Sequence, residues 1–204
     1  MYNKICIIGG SGSGKTTLSR NLGKLLDIPV YNIDGINYLK DWKTRDKKER
    51  DSIILDKMNA TKWIMDGTYS STLDARMNAS DLVIFLDYSS LARFYGVLKR
   101  FMKNHGKEKD EIPGCREKMD IDFIRILLKW KNKRVSIIEK LSKVNNEKII
   151  IFKNRKQLNE WYKKQFNTNI EIWIRDVRFY NLMSFLLQKN KYGGIENGKC
   201  RIKR

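Results

Sequence analysis

Short apolar runs alternate along the chain with segments whose apolar residues recur every three or four positions, the pattern of a parallel sheet covered by helices. Residues 3–8 (NKICII) predict a first strand, and residues 15–26 a helix with Leu18, Leu22, Leu25 and Leu26 along one side. Residues 29–33 (PVYNI) predict a second strand, with Pro29 at its entry, where a missing N–H is tolerated. The charged stretch 45–60 carries Ile53, Ile54 and Met58 on one side and reads as a surface helix, and residues 62–65 (KWIM) predict a third strand. A fourth strand, residues 82–86 (LVIFL), is apolar without interruption and so requires cover on both faces.

Residues 90–104 predict a long helix whose core face carries Leu91, Phe94, Tyr95, Leu98, Phe101 and Met102, opposite Arg93, Arg100 and Lys103. Residues 105–120 are polar, carry Gly106, Pro113 and Gly114, and lack a period, which predicts a lid or loop. A helical pattern returns over 121–143, followed by a fifth strand at 148–152 (KIIIF) and a closing helix at 154–165. Beyond it, the segment VRFYNLMSFLL is apolar nearly all round, while Arg175, Asp176 and Arg178 argue against a membrane span. It needs a partner surface, in its own domain or in a second subunit. No repeat and no Pro/Ser/Gly-rich linker divides the chain. The expectation is one α/β domain over residues 1–165, with a lid at about 105–120, and a C-terminal extension over 166–204 of unassigned role.

Composition agrees with a single core. A chain of 204 residues, 41% apolar, can bury roughly 70% of its unfolded surface without disulfides. The apolar run near the N-terminus is too short for a signal peptide or a span, so a cytoplasmic protein is expected. Cys6, Cys115 and Cys200 are odd in number and lack CxxC spacing, which argues for reduced thiols and against a disulfide framework or a zinc site. The net charge of +19 is uneven, with an excess of 2 over residues 1–90, 12 over 91–165 and 5 over 166–204. Such an excess allows non-specific contact with a nucleic-acid backbone. It equally fits a chain rich in Lys, Asn and Ile that loads lysine onto any solvated face.

The sharpest chemical signal is GxxxxGK[ST], satisfied by Gly9, Gly14, Lys15 and Thr16, after an apolar strand and opening a helix. In that context the loop Gly9, Gly10, Ser11, Gly12, Ser13, Gly14, Lys15, Thr16 and Thr17 turns its amides around a phosphate. The helix start adds its positive end, Lys15 reaches the terminal phosphates, and the Thr16 hydroxyl is placed for Mg²⁺. ATP and Mg²⁺ are the expected cofactors. Three strands run into aspartates, Asp34, Asp66 and Asp87, and the carboxyl ends of parallel strands lie on the loop's edge of the sheet. One should support Mg²⁺; Asp87, followed by Ser89 and Ser90 and a helix, reads as structural, and Asp34 suits an acceptor better than the metal.

The segment WIMDGTYSSTLDARMNASDLVIFLD, following the glycine loop and NIDGINYLKDW, resembles the DNA topology modulation proteins, P-loop members of the adenylate-kinase-like group. The resemblance runs from residue 3 to about 162 and includes LKR at 98–100, GCREKMD at 114–120 and IIIFKNRKQLNEW at 149–161. It implies a three-layer P-loop NTPase fold of the nucleoside-monophosphate-kinase type, with a five-stranded parallel sheet in the order 2-3-1-4-5, a lid segment, and ATP on residues 9–17. By the same resemblance Asp66 orients Mg²⁺, and Arg100 sits at the lid hinge against the transferring phosphoryl. Arg116, then Arg134 and Arg155, are further candidate cations.

Departures from the adenylate-kinase pattern matter too. Gly96 stands where an additional Arg is expected, YNIDGINYLKDW is unlike an AMP-binding segment, and the lid lacks a four-cysteine zinc pattern, all of which argue against AMP as acceptor. Asp34, Tyr69 and Arg76 are the candidate acceptor pocket: a carboxylate for a hydroxyl or amine, a ring for stacking and a cation for an anionic group. Tyr69 equally suits the core, and Arg76 could pair with Asp74 or Asp81. His105, the only histidine, reads as a solvated turn residue. Trp63, Trp130 and Trp161 read as core, while Trp42 is the tryptophan placed to touch a substrate.

The leading expectation is a Mg-ATP-dependent kinase acting on a nucleotide or other small-molecule acceptor. The alternative is a nucleotide-dependent DNA-associated protein whose basic residues 91–165 bind DNA non-specifically, and a third is a P-loop domain that binds nucleotide without turnover. No membrane partner is expected, and the oligomeric state is open.

Overall fold

The computed structural model describes residues 2–104, 106–116 and 130–168. The chain divides into two compact units, Met1–Ile172 and Trp173–Arg204, and the described residues belong to the first. His105, the first part of the helical pattern expected over 121–143, and the apolar tail from residue 169 onward lie outside the described residues.

Five parallel strands form the sheet: β1 (Lys4–Gly9), β2 (Val30–Asn32), β3 (Trp63–Asp66), β4 (Leu82–Leu86) and β7 (Ile149–Phe152). Their order is β2-β3-β1-β4-β7, the expected 2-3-1-4-5, because a small hairpin supplies β5 (Glu108–Lys109) and β6 (Ile112–Arg116) between the fourth and fifth sheet strands. The central strand β1 pairs with β3 from Lys4↔Trp63 to Ile7↔Asp66 and with β4 from Ile5↔Leu82 to Gly9↔Leu86. Alternation along β1 sends Ile5 and Ile7 into one core layer, with Leu18, Leu22, Ile84 and Leu158, and Cys6 and Ile8 into the other, with Trp63, Met65, Phe85 and Met77. Burial on both faces explains why β4 is apolar throughout.

The helices are α1 (Lys15–Leu26), α2 (Ile33–Asn37), α3 (Lys47–Met58), α4 (Leu73–Ala79), α5 (Ser90–Asn104), α6 (Trp130–Leu141) and α7 (Arg155–Phe166). Asp46 caps α3 by accepting from the amides of Lys48 and Glu49, and Asn154 caps α7 by accepting from Gln157. No helix among the described residues is long and apolar enough to cross a membrane. Trp63 and Trp130 are core residues, and Trp161 packs against the core beside Phe152.

Three expectations change. Strand two ends at Asn32, and Asp34 lies in the first turn of the short helix α2, because the Asn32 side chain accepts from the Gly35 amide and starts that helix. Within the segment expected as a lid or loop, Glu108–Arg116 form the β5–β6 hairpin, whose Ile112 and Cys115 are buried. The largest correction is α5. Its expected core face is partly open, with Leu91 64% and Met102 61% exposed, whereas Arg93, expected in solvent, is 2% exposed and Val97 is buried. The cause is a backbone approach: a Cβ on Gly96 would lie 2.1 Å from the Gly12 carbonyl oxygen, so α5 docks on the glycine loop through Gly96 and turns the Arg93–Val97 side inward.

Candidate functional site

The glycine loop leaves the carboxyl end of β1 and opens α1 at Gly14, whose φ of 91° lies in the left-handed region that side chains disfavour. Thr68, just after β3, secures the loop's start: its hydroxyl donates to the Gly9 carbonyl at 2.8 Å and accepts from the Gly9 amide at 3.3 Å. Lys15 Nζ donates back to the Gly10 carbonyl at 3.2 Å. Burial lowers the pKa of this ammonium; the charges of Asp34 and Asp66 work against that, and those of Arg100 and Arg93 add to it. Lys15 thus sits in a field shared by two carboxylates and two guanidinium groups.

Asp66 ends β3 beside the loop and is buried. Its Oδ2 accepts from the Ser19 hydroxyl at 2.7 Å and its Oδ1 from Asn32 Nδ2 at 2.7 Å, while the same Asn32 amide reaches Thr16 Oγ1 at 3.5 Å. Burial is the dominant influence on the carboxyl and raises it from 3.8 to about 6, against the opposing Lys15 charge and the Ser19 hydrogen bond. Asn32 and Ser19 are the residues that sequence reasoning missed. Asn32 carried a signal, an amide side chain two residues before Asp34 at a strand end, but its bridging position depends on β2 pairing with β3 at Asn32↔Asp66. Among the described residues no three His, Cys, Asp or Glu gather as a metal cluster. The Thr16 hydroxyl and the Asp66 carboxylate, joined through Asn32, are hard oxygen donors of the kind that suit Mg²⁺ with retained water.

Beside this group lies a cavity of about 330 Å³ whose lining includes Thr16, Ser19, Asn32, Ile36, Asp66 and Glu111. The hairpin roofs it. Arg20 on α1 bonds Asp110 at 3.1 Å and Glu111 at 2.8 Å, and a Cβ on Gly35 would lie 2.4 Å from the Glu111 carbonyl. On its other side the hairpin grips residues 39–42, where Cys115 Sγ accepts from the Trp42 amide and donates to the Leu39 carbonyl, both at 3.2 Å. Trp42 Nε1 donates to the Arg116 carbonyl at 3.2 Å, and its ring meets Tyr38 edge-on at 5.3 Å. Trp42 therefore anchors the hairpin, and the side chain of Arg116 is exposed at the end of β6.

Of the three acceptor-pocket candidates, Asp34 and Tyr69 come together. Tyr69 lies between the Arg50 guanidinium, 4.9 Å from its ring centre, and Lys133 Nζ, 5.9 Å away, and burial, the nearby Asp34 charge and Tyr38 all raise its hydroxyl. Lys133, not foreseen, is lowered by its surroundings while Asp34 opposes that. Arg76 does not join them. It is fully buried and donates to the carbonyls of Gly67 (2.9 Å) and Tyr69 (3.0 Å) and to Thr72 Oγ1 (3.2 Å), so it shapes the loop that carries Tyr69. Neither anticipated partner holds it: Asp74 pairs with Lys140, and Asp81 accepts from the amides of Asn3 and Lys4.

The remaining charged candidates divide by position. Arg100 is half-buried on α5, close enough for its charge to act on Lys15. Arg134 holds Asp87 through two bonds of 2.6 and 2.7 Å, and Lys153 adds a third at 2.5 Å. Burial alone would raise the Asp87 carboxyl, but these hydrogen bonds and charges outweigh it and hold the group below its ordinary value. Asp87 is structural, as a buried ion-pair centre rather than a helix cap. Arg155 Nη2 donates to the carbonyls of Gly12 (3.2 Å) and Ala92 (3.3 Å), fastening α7 to the glycine loop.

Comparison with known proteins bears on the fold. A shikimate kinase from Bacteroides thetaiotaomicron has the same fold at TM-score 0.53 and 15% identity, the match covering 82% of this chain and 100% of that one. A shikimate kinase from Acinetobacter baumannii, in complex with shikimate, matches at TM-score 0.49 and 14% identity over 81% and 93% of the two chains. A deoxyadenosine kinase from M. mycoides with bound dATP matches at TM-score 0.48 and 18% identity over 81% and 100%. No curated protein matches the chain. The family model described as AAA domain matches residues 4–108, from β1 through the glycine loop, Asp66 and α5 to the start of the hairpin, and the chain belongs to that family of P-loop proteins.

Proposed function

We propose that the protein is a phosphotransferase that moves the γ-phosphoryl of ATP to a small-molecule acceptor. The observation that carries the proposal is the junction of Lys15, Thr16 and Asp66 at the carboxyl edge of the central strands, with a roofed cavity opening beside it. The loop amides and the start of α1 would hold the phosphate chain, and Lys15 would leave the Gly10 carbonyl to meet its outer end. Thr16 and Asp66 would hold Mg²⁺, which supplies charge neutralisation to the phosphates when bound. Arg100, already in the field of Lys15, would face the transferring group, with Arg116 at the end of β6 as a further cation.

In the transfer an acceptor oxygen forms a bond to the γ-phosphorus, the bond from that phosphorus to the β,γ-bridging oxygen breaks, and ADP leaves. Asp34, whose charge acts on Tyr69 and Lys133, would orient the acceptor and take its proton, with Arg76 holding the loop that carries Tyr69. A nucleotide or a hydroxylated metabolite fits such a wall. The likeness in fold to a shikimate kinase is in keeping with a kinase of this size. The narrower likeness to DNA topology modulation proteins, with its DNA-associated reading, rests on sequence segments and on basic charge; the Lys15–Asp66 site supports phosphoryl transfer. We assign the machinery to residues 1–165, apart from the 166–204 extension.

The test is ADP release from Mg-ATP across nucleoside monophosphates, nucleosides and small hydroxylated metabolites, with double-stranded DNA as a separate addition. Acceptor-dependent turnover that disappears in Lys15→Ala and Asp66→Asn is the expected result. Calorimetry showing no heat from ATP or GTP at millimolar concentration with Mg²⁺ would overturn the proposal.

A further inference from the structure

Arg93 is the most conspicuous side chain that the proposed machinery does not use. It is 2% exposed, yet its Nε and Nη1 have no hydrogen-bond partner among the described residues, and its Nη2 reaches only Ser90 Oγ at 3.4 Å. A buried guanidinium with two unmade bonds is costly, because each N–H has given up water without compensation. Its guanidinium carbon lies 4.9 Å from the centre of the Trp130 ring. Asp87, whose charge acts on it, is already engaged by Arg134 and Lys153.

The direction of the side chain is set by the glycine loop. A Cβ on Gly10 would lie 2.5 Å from Arg93 Nη1 and 2.8 Å from its Cδ, so the arginine lies flat against the bare Cα of Gly10. Lys15 Nζ is bonded to the carbonyl of that same residue. In a loop of this type the lysine serves the β- and γ-phosphates, so Gly10 marks the outer end of the phosphate chain. Two cations converge on this one glycine. In the same loop Ser13 Oγ is buried and also has no hydrogen-bond partner among the described residues.

We propose that Arg93 donates from its unpaired Nη1, the nitrogen that lies against Gly10, to the terminal phosphate of a nucleoside triphosphate held by the glycine loop, taking the place that Gly96 leaves without a side chain. Position 96 cannot supply this arginine, because any side chain there meets the Gly12 carbonyl; position 93, one turn earlier on the same inward side of α5, can. Gly10 is then explained as well: it is the space in which the guanidinium lies. The inference rests on the nucleotide-binding reading above and sharpens it, since it makes discrimination between ATP and ADP depend on one named residue.

The experiment is calorimetric titration of the full chain with ATP and with ADP, in Mg²⁺, for the wild type, Arg93→Met and Arg93→Lys, alongside thermal unfolding of each. The expected result is that Arg93→Met loses about tenfold in ATP affinity and under about threefold in ADP affinity, with Tm unchanged or raised. Arg93→Lys, keeping the charge but not the guanidinium donor against Gly10, should fall between. An unchanged ratio of ATP to ADP affinity in both variants overturns the inference while leaving nucleotide binding intact. Loss of both nucleotides in parallel with a lowered Tm also overturns it, by showing a purely structural arginine. A wild type that binds neither nucleotide takes down the proposed function itself.

Discussion

The Ser19 hydroxyl donates to Asp66 Oδ2 at 2.7 Å, joining the first turns of α1 to the end of β3 and holding a carboxylate out of water beside the glycine loop. The fold tolerates this carboxylate at a cost in stability. Its pKa is about 6 in the folded chain against an ordinary 3.8, so between those values the folded state binds more protons than the unfolded one. Stability therefore falls as pH rises from about 4 to about 6 and stays lower above that. Asp66→Asn removes the charge and can keep both hydrogen bonds. It should raise unfolding free energy at pH 7 by about 1–3 kcal/mol while abolishing turnover. Denaturant unfolding at pH 4 and pH 7 checks this, since the two proteins should differ at pH 7 and converge at pH 4.

Gly96 is a packing residue on a helix that touches the loop's backbone. Gly96→Ala places a Cβ 2.1 Å from the Gly12 carbonyl, which is backbone and cannot swing aside. The substitution should cost about 1–3 kcal/mol, despite alanine's better helix propensity, and should weaken ATP binding because Gly12 must shift. Thermal unfolding together with ATP titration measures both effects; an unchanged or raised Tm would contradict the close approach.

Asp87 ties three elements together through Arg134 and Lys153. Asp87→Ala should cost about 2 kcal/mol, less than a fully buried pair, because both cations retain partial access to solvent. Since the Asp87 carboxyl is held below its ordinary value, its contribution is present above the unfolded pKa near 4 and is lost as pH falls through the lower folded value. The stability gap between wild type and Asp87→Ala should therefore narrow below pH 4 in denaturant titrations.

Arg20 bridges α1 to the hairpin turn through Asp110 and Glu111 at a largely exposed site. Arg20→Ala should change global stability by less than about 1 kcal/mol yet speed amide exchange across residues 108–116. Hydrogen exchange followed by mass spectrometry reads this directly. Exchange unchanged in those amides would mean that the Cys115 and Gly35 contacts alone hold the hairpin down.

Arg76 separates a structural role from a substrate role. Its three donors hold the loop of Gly67, Tyr69 and Thr72, so Arg76→Lys, which cannot make the same fork, should lower Tm by several degrees, at about 2–3 kcal/mol. Any change in acceptor KM should track with that loss; a raised KM at unaltered Tm would restore Arg76 to the acceptor pocket.

While the strand order came from the family resemblance, local chemistry was enough to read the strand, loop and helix of residues 4–26, the five sheet strands, and the positions of Lys15, Thr16 and Asp66. Those features depend on alternation, on glycine at turns with positive φ, and on a carboxylate at a strand end, all of which leave marks within a few residues. The hairpin escaped because its two apolar residues, Ile112 and Cys115, lie among charges, and Cys115 finds its partners at Leu39 and Trp42, far away in the chain. Arg93 and Arg76 escaped for the same reason. An arginine looks solvated in sequence, and only packing decides whether it meets water, a carbonyl or nothing. Which side of α5 faces inward was settled by Gly12 and Gly96, two residues without side chains whose contact brings backbone against backbone. Hydrophobic periodicity registers side chains alone, so a helix docked through a bare glycine carries no trace of its orientation until the loop it rests on is folded beneath it.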